Sequence, residues 1–245
     1  MNFIFIILTF LISAVIARIL IPRILLISLR KKLFDIPDDR KIHKRAIPRL
    51  GGVSFFPTTL FAFCLVYAFR LLDGDSISTL YASYLLPELL LFACGMTLLY
   101  LTGIADDLVG VRYRQKFAIQ IFCACLFPLS GLWINDLYGL FGIHELSAYV
   151  GIPFTVLTVV FITNAINLID GIDGLASGLS SVALLVFTFL FISKGLWSYA
   201  MLSAGTFGVL VPFFYYNVFG SVERARKIFM GDTGSLTIGG IIAVF

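Results

Sequence analysis

Between residues 85 and 104 the chain runs about 20 residues with almost no ionisable side chain; at about 1.5 Å per residue it reaches about 30 Å, one bilayer hydrocarbon thickness. Similar runs cover residues 1 to about 17, 51–70, 117–134, 148–166, 179–192 and 196–216. A soluble fold would have nowhere to hide so much apolar surface: 60% of residues are hydrophobic, 13% are charged and 25 are Phe. A bilayer accepts it as helices, which satisfy their own backbone groups. The expected fold is therefore all-α, a polytopic transmembrane helical bundle of seven complete spans in one integral-membrane domain over residues 1–245.

The first run lacks the basic start of a secretory signal, and Arg18 and Arg23 follow it directly, so it reads as a span with its amino end outside. Alternating the spans then puts three loops on one side: residues 29–49, the loop with Arg112, Arg114 and Lys116, and residues 217–233 with Arg224, Arg226 and Lys227. Those loops hold fourteen of the 18 Lys and Arg. Basic residues mark the cytoplasmic side. Residues 73–83 and 135–147 are then short outer loops. The run 235–245 is about 11 residues, too short to span, and we read the sequence as truncated within an eighth span. Cys64, Cys94, Cys123 and Cys125 all lie in apolar runs without a Cys-x-x-Cys spacing, which fits small buried residues rather than disulfides or a zinc site.

Against this apolar background the acidic and amide groups stand out, because such groups are costly near a membrane core and mark candidate sites. Asn164, Asn167, Asp170 and Asp173 recur every three residues. Each step of three falls about 60° short of a full helical turn, so the first three can share a broad face while Asp173 turns away. Gly171 and Gly174 allow the helix to unwind there, which predicts a helix end followed by a loop. Asp106 and Asp107 end the third span, with Lys116 ten positions on. Carboxylates beside cations suit a magnesium ion holding a phosphate-bearing substrate. Gly231-Asp232-Thr233-Gly234-Ser235 opens the last apolar run, and a helix amino terminus there would attract phosphate oxygens. All three clusters fall on the cytoplasmic face. Taken singly, each also has a plainer reading: a solvated Asp-Gly turn, an acidic pair after a span, and an N-cap. His144 reads as a surface residue.

Four stretches in order resemble one family. They are Asp35-Ile36-Pro37-Asp38-Asp39-Arg40-Lys41-Ile42-His43 through Pro48-Arg49-Leu50-Gly51-Gly52, then Gly103-Ile104-Ala105-Asp106-Asp107 with Lys116 and Gln120, then residues 164–178, then Phe229-Met230-Gly231-Asp232-Thr233-Gly234-Ser235. Together they resemble the polyprenyl-phosphate N-acetylhexosamine-1-phosphate transferases. The resemblance implies a Mg²⁺ (or Mn²⁺) enzyme of the bacterial inner (plasma) membrane. Its substrates would be a UDP-N-acetylhexosamine and undecaprenyl phosphate, its setting the lipid bilayer, and no nucleic acid would be involved; a homodimer is left open.

Residue by residue, it implies that Asn167 and Asp232, with Asp107, bind the metal and that Asp106 and Asp107 sit at the reacting phosphates. Asp170 and Asp173 join these as catalytic candidates that shape the pocket with Asn164. Lys116 would neutralise a phosphate, and His43, Arg49 and Gly231 would complete the substrate site. The Pro48-Arg49-Leu50-Gly51-Gly52 form resembles the branch that moves GlcNAc-1-phosphate to start O-antigen, common-antigen or teichoic-acid linkage synthesis. The peptidoglycan branch, acting on UDP-MurNAc-pentapeptide, is the alternative; it usually shows a Gly-Thr-Pro-Thr-Met-Gly-Gly type sequence here. The family's later His-rich cytoplasmic loop is not among these residues. A transporter or flippase would carry its charges near the midplane. A CDP-alcohol phosphotransferase would show Asp-Gly-x-x-Ala-Arg, which Asp170-Gly171-Ile172-Asp173-Gly174-Leu175 does not match.

Overall fold

The computed structural model of the protein describes residues 2–31, 33–35, 47–73, 76–221, 223 and 226–245. Its helices are α1 (Asn2–Lys31), α2 (Phe55–Leu72), α3 (Ser76–Val109), α4 (Tyr113–Leu129), α5 (Ala148–Ile169), α6 (Leu175–Ser193), α7 (Trp197–Val218) and α8 (Gly231–Val244). A 3-10 turn, Gly51–Ser54, leads into α2, and β1 (Phe34–Asp35) pairs antiparallel with β2 (Ile47–Pro48). Six of the eight helices among the described residues are long and apolar enough to cross a membrane. The all-α multi-pass fold is therefore the one observed.

Two helices form the interior. α7 packs against α1, α2 and α6, while α8 lies between α3 and α5. Small residues let these backbones approach. On α1, Thr9, Ser13 and Ala17 make one buried stripe, and it faces Gly205 and Gly208 of α7; a Cβ on Gly208 would fall 2.5 Å from the Phe10 carbonyl. Between lipid-solvated helices such close van der Waals packing supplies the attraction that the hydrophobic effect cannot. Likewise Gly239 and Gly240 seat α8 against Thr163 of α5 and Met96 of α3. At 14 residues α8 is short, but it is enclosed by its neighbours.

Glycine also decides where helices stop. α4 was expected over residues 117–134 but runs from Tyr113 and ends at Leu129. Gly131 takes φ +93°, and the amides of Gly131 and Leu132 donate back to Pro128 and Phe127. This is a Schellman ending. The same pattern closes α6 at Gly195, whose amide and that of Leu196 return to Ile192 and Phe191. The outer loop expected over residues 73–83 is helical from Ser76. The break expected at Gly171 and Gly174 is present: α5 ends at Ile169, and Gly174, at φ +74°, immediately precedes α6.

Candidate active site

α3 ends, α4 starts, α5 ends and α8 starts at the same end of the bundle, and their polar residues meet there. Asp232 is the hub. Its Oδ1 accepts from Lys116 Nζ at 2.5 Å and from Asn167 Nδ2 at 2.6 Å. Lys116 also donates to Asp106 Oδ2 at 2.8 Å, and Asn167 to Ser235 Oγ at 2.7 Å. The result is a chain of five side chains from four helices. Lys116 is mostly buried at 15% exposure and is shared by two carboxylates.

The segment ahead of α8 is held in place by the first-loop motif. Phe229 N–H donates to Pro48, Gly51 N–H to Phe229 and Gly52 N–H to Met230, so the two stretches pair like strands. Side chains would not fit between them. A Cβ on Gly52 would lie 2.1 Å from Gly234 Cα, and one on Gly103 of α3 would lie 2.4 Å from Thr233 Cα. Gly231 has φ +73°, and its Cβ would lie 2.0 Å from the Arg49 carbonyl. The Arg49 carbonyl thus lies directly against the Gly231 turn, while His43 lies outside the described residues.

Asp107 occupies the start of α8. Its Oδ1 accepts from Asp232 N–H, and its Oδ2 from Thr233 N–H and Thr233 Oγ1, at 2.9, 2.9 and 2.6 Å. The amides expected to receive a phosphate are therefore already taken by a carboxylate, which is the acceptor a helix amino terminus favours. Expected as a metal ligand, Asp107 has both oxygens engaged by protein. Asp106 is similarly occupied, with Oδ1 accepting from Val111 N–H at 2.7 Å just beyond the end of α3 at Val109.

Asp170 sits at the carboxyl end of α5 beside these groups. Burial pushes its carboxyl well above the usual range, the negative charges of Asp232 and Asp107 push it further, and a hydrogen bond from the Gly231 amide pulls the other way. The cluster thus carries more negative charge than Lys116 offsets, a demand that a divalent cation would meet. Asn167 Oδ1 and Asp232 Oδ2 make no protein hydrogen bond among the described residues. Among those residues no three His, Cys, Asp or Glu side chains gather as a metal cage. A cation here would take one or two protein oxygens and complete its shell from substrate and water, as Mg²⁺ does.

Asn164 and Asp173 stand apart from the hub. Asn164 forms a reciprocal amide pair with the buried Gln120 of α4, donating to it at 2.6 Å. Asp173 pairs with Lys227. Two contributors escaped the sequence reading. Lys227 was counted only as a topology signal, and Asn217 only as the start of a loop. Buried Asn217 accepts from Gly174 N–H at 2.7 Å and donates to the Ile228 carbonyl at 3.0 Å, tying the Asp170–Asp173 turn to the segment that carries Asp232. An amide at the end of a span was the available clue.

A family model described as Glycosyl transferase family 4 matches residues 89–245. The chain belongs to glycosyl transferase family 4. A probable undecaprenyl-phosphate N-acetylglucosaminyl 1-phosphate transferase of Bacillus subtilis (strain 168) is 31% identical over 98% of this chain and 62% of the relative. A phospho-N-acetylmuramoyl-pentapeptide-transferase of Staphylococcus carnosus (strain TM300) is 31% identical over 99% of this chain and 75% of the relative. An undecaprenyl-phosphate alpha-N-acetylglucosaminyl 1-phosphate transferase of Yersinia pestis is 30% identical over 87% of this chain and 54% of the relative. The chain thus spans between about half and three quarters of the length of these relatives. The matched region holds every hub residue.

Proposed function

We propose that the protein transfers N-acetylhexosamine-1-phosphate, with GlcNAc-1-phosphate as the preferred group, from a UDP-sugar to undecaprenyl phosphate. The reaction would take place at the cytoplasmic face of the bacterial plasma membrane and release UMP. The observation that carries this reading is the meeting of Lys116, Asn167 and Asp232 from separate loops at one end of the bundle. The names of the Bacillus and Yersinia relatives point the same way.

A lipid phosphate oxygen would attack the β-phosphorus of the UDP-sugar in line, forming the new P–O–P bond as the bond to the UMP oxygen breaks. A phosphate monoester has a second pKa of about 6, so this nucleophile is largely ionised at neutral pH and needs little help from a base. The chief obstacle is the approach of two anions. Lys116 supplies one fixed positive charge there, and Asp106 and Asp232 hold its ammonium in place. Mg²⁺, when bound, would supply further neutralisation of the phosphates and of the departing UMP. Asn167 Oδ1 and Asp232 Oδ2 are the oxygens that would hold it. Asp107 keeps α8 and therefore Asp232 in position, and Asn217 does the same from the α6 side.

The peptidoglycan-type donor is the second reading, favoured by the Staphylococcus relative and its 75% coverage. One assay separates the two: UMP release from UDP-GlcNAc, UDP-GalNAc and UDP-MurNAc-pentapeptide, each with and without undecaprenyl phosphate and Mg²⁺. UDP-GlcNAc is expected to give the fastest release, dependent on both lipid and metal. Release from UDP-MurNAc-pentapeptide alone would move the protein to the second reading, and release without lipid would overturn the transfer itself.

A further inference from the structure

A second polar recess lies away from the hub, between α1 and α7. It encloses about 590 Å³ and is lined by Arg18 and Arg226, by Tyr215 and Tyr216, and by apolar side chains that include Leu26 and Phe219. Arg18 donates to the Tyr216 hydroxyl, and its guanidinium lies 5.1 and 5.6 Å from the ring centres of Tyr216 and Tyr215. Among the described residues neither Arg18 nor Arg226 has a carboxylate partner, and no Asp or Glu lines the recess.

Its depth follows from the α1–α7 packing. The two helices run side by side in the same direction, with Phe3 against Trp197, Phe10 against Phe207 and Arg18 against Tyr216. α7 ends at Val218, so Arg18 sits level with the end of a membrane span, and residues 19–31 of α1 continue past it. In the topology expected from the basic loops, that level falls in the headgroup region on the cytoplasmic side. Leu26 and Phe219 are 49% and 70% exposed, leaving an apolar surface beside the two guanidiniums. Arginines without a counter-ion at this depth attract phosphate oxygens, and the apolar wall suits acyl chains.

We propose that this recess binds one anionic phospholipid, its phosphodiester held by Arg18 and Arg226 and its acyl chains lying against Leu26 and Phe219. With no Asp or Glu among the described lining residues, the recess disfavours a zwitterionic lipid, whose choline or ethanolamine cation would meet two arginines there. The site shares no residue with the Asp232 hub and stands whether or not the transfer reaction is correct.

The test is native mass spectrometry of the purified protein, delipidated in detergent and titrated with palmitoyl-oleoyl phosphatidylglycerol. The matched phosphatidylcholine and inorganic phosphate serve as comparison probes. One tight phosphatidylglycerol per chain is expected. Affinity should fall roughly fivefold for Arg226→Ala and about thirtyfold for Arg18→Ala with Arg226→Ala, taking each guanidinium as a single interfacial cation. Arg226 is exposed, so its single variant reads the effect even where loss of Arg18 impairs folding. The proposal is overturned by equal affinity for phosphatidylcholine, or by Arg226→Ala binding phosphatidylglycerol as tightly as the unchanged protein. Displacement of the lipid by inorganic phosphate at equal concentration would make this a soluble-anion site instead. Loss of a dimer in the arginine variants, with the lipid adduct unaltered, would make the recess a contact between copies.

Discussion

Asp232→Asn is expected to reduce UMP release at least about 10²- to 10³-fold, the usual scale for removing one preorganised charge from a site that stabilises developing negative charge. The substitution is nearly isosteric. It keeps an oxygen near Lys116 and Asn167 but removes the negative charge that faces both. It also leaves the Asp232 backbone amide on Asp107, so the start of α8 should hold. The expected signature is therefore a large loss of turnover with a melting midpoint close to that of the unchanged protein. A turnover loss that merely tracked a fall in melting midpoint would assign Asp232 a structural role.

Gly231→Ala should do the opposite, damaging the fold first and the activity in consequence. The position has φ +73°, where an alanine costs roughly 1–2 kcal/mol. The new Cβ would also meet the Arg49 carbonyl at 2.0 Å and both Asp107 oxygens at 2.8 Å. The first is backbone, and the Asp107 carboxylate is pinned by three hydrogen bonds from Asp232 and Thr233. Relief requires separating the first-loop motif from α8 or pulling Asp107 off the helix start, so the total cost should reach about 3 kcal/mol or more. Thermal unfolding of the purified protein checks this. Gly171→Ala is the matched control, since a Cβ there meets nothing nearer than the Leu168 carbonyl at 4.0 Å, and it should be tolerated. Equal melting points for the two variants would contradict the packing described for Gly231.

These two expectations show which parts of the molecule can be read from its residues alone. Six of the seven expected spans were legible because bilayer thickness fixes how many apolar residues a helix needs; α4, at 17 residues, is not among the helices long and apolar enough to cross. The break after Ile169 was legible because Gly171 and Gly174 are local signals. Helical geometry gave part of the Asn/Asp series: Asn167 reaches the hub, Asp170 lies beside it and Asp173 turns to Lys227, whereas Asn164, expected on the same face as Asn167, pairs with Gln120 instead. The strand-like pairing of Pro48–Gly52 with Phe229–Met230 was not legible, since it joins segments far apart in the chain and neither carries a strand pattern. For the same reason Asp107 read as a metal ligand. Nothing local shows that a carboxylate at the end of α3 will reach the amides at the start of α8. The end of α4 was missed because Gly131 lies within an apolar run, where its conformational role outweighs hydropathy. Asn217 was missed because one amide at a span end has no distinctive spacing.

Lys116 gains a particular significance from this geometry. It is the cation that joins Asp106 to Asp232, so the acidic pair of α3 divides its work: Asp106 orients the cation, and Asp107 orients the helix that carries Asp232. Three loops are thus locked to one another before any substrate arrives, which is the preorganisation that electrostatic catalysis requires.

The open oxygens of Asn167 and Asp232 are the proposed holders of a divalent cation. Electron paramagnetic resonance titration of Mn²⁺ into the purified protein tests it without depending on turnover. One bound Mn²⁺ per chain is predicted, with affinity weakened about tenfold or more by Asp232→Asn and by Asn167→Ala, and with Mg²⁺ competing for the site. Undiminished Mn²⁺ binding in both variants would place the metal elsewhere and contradict the account.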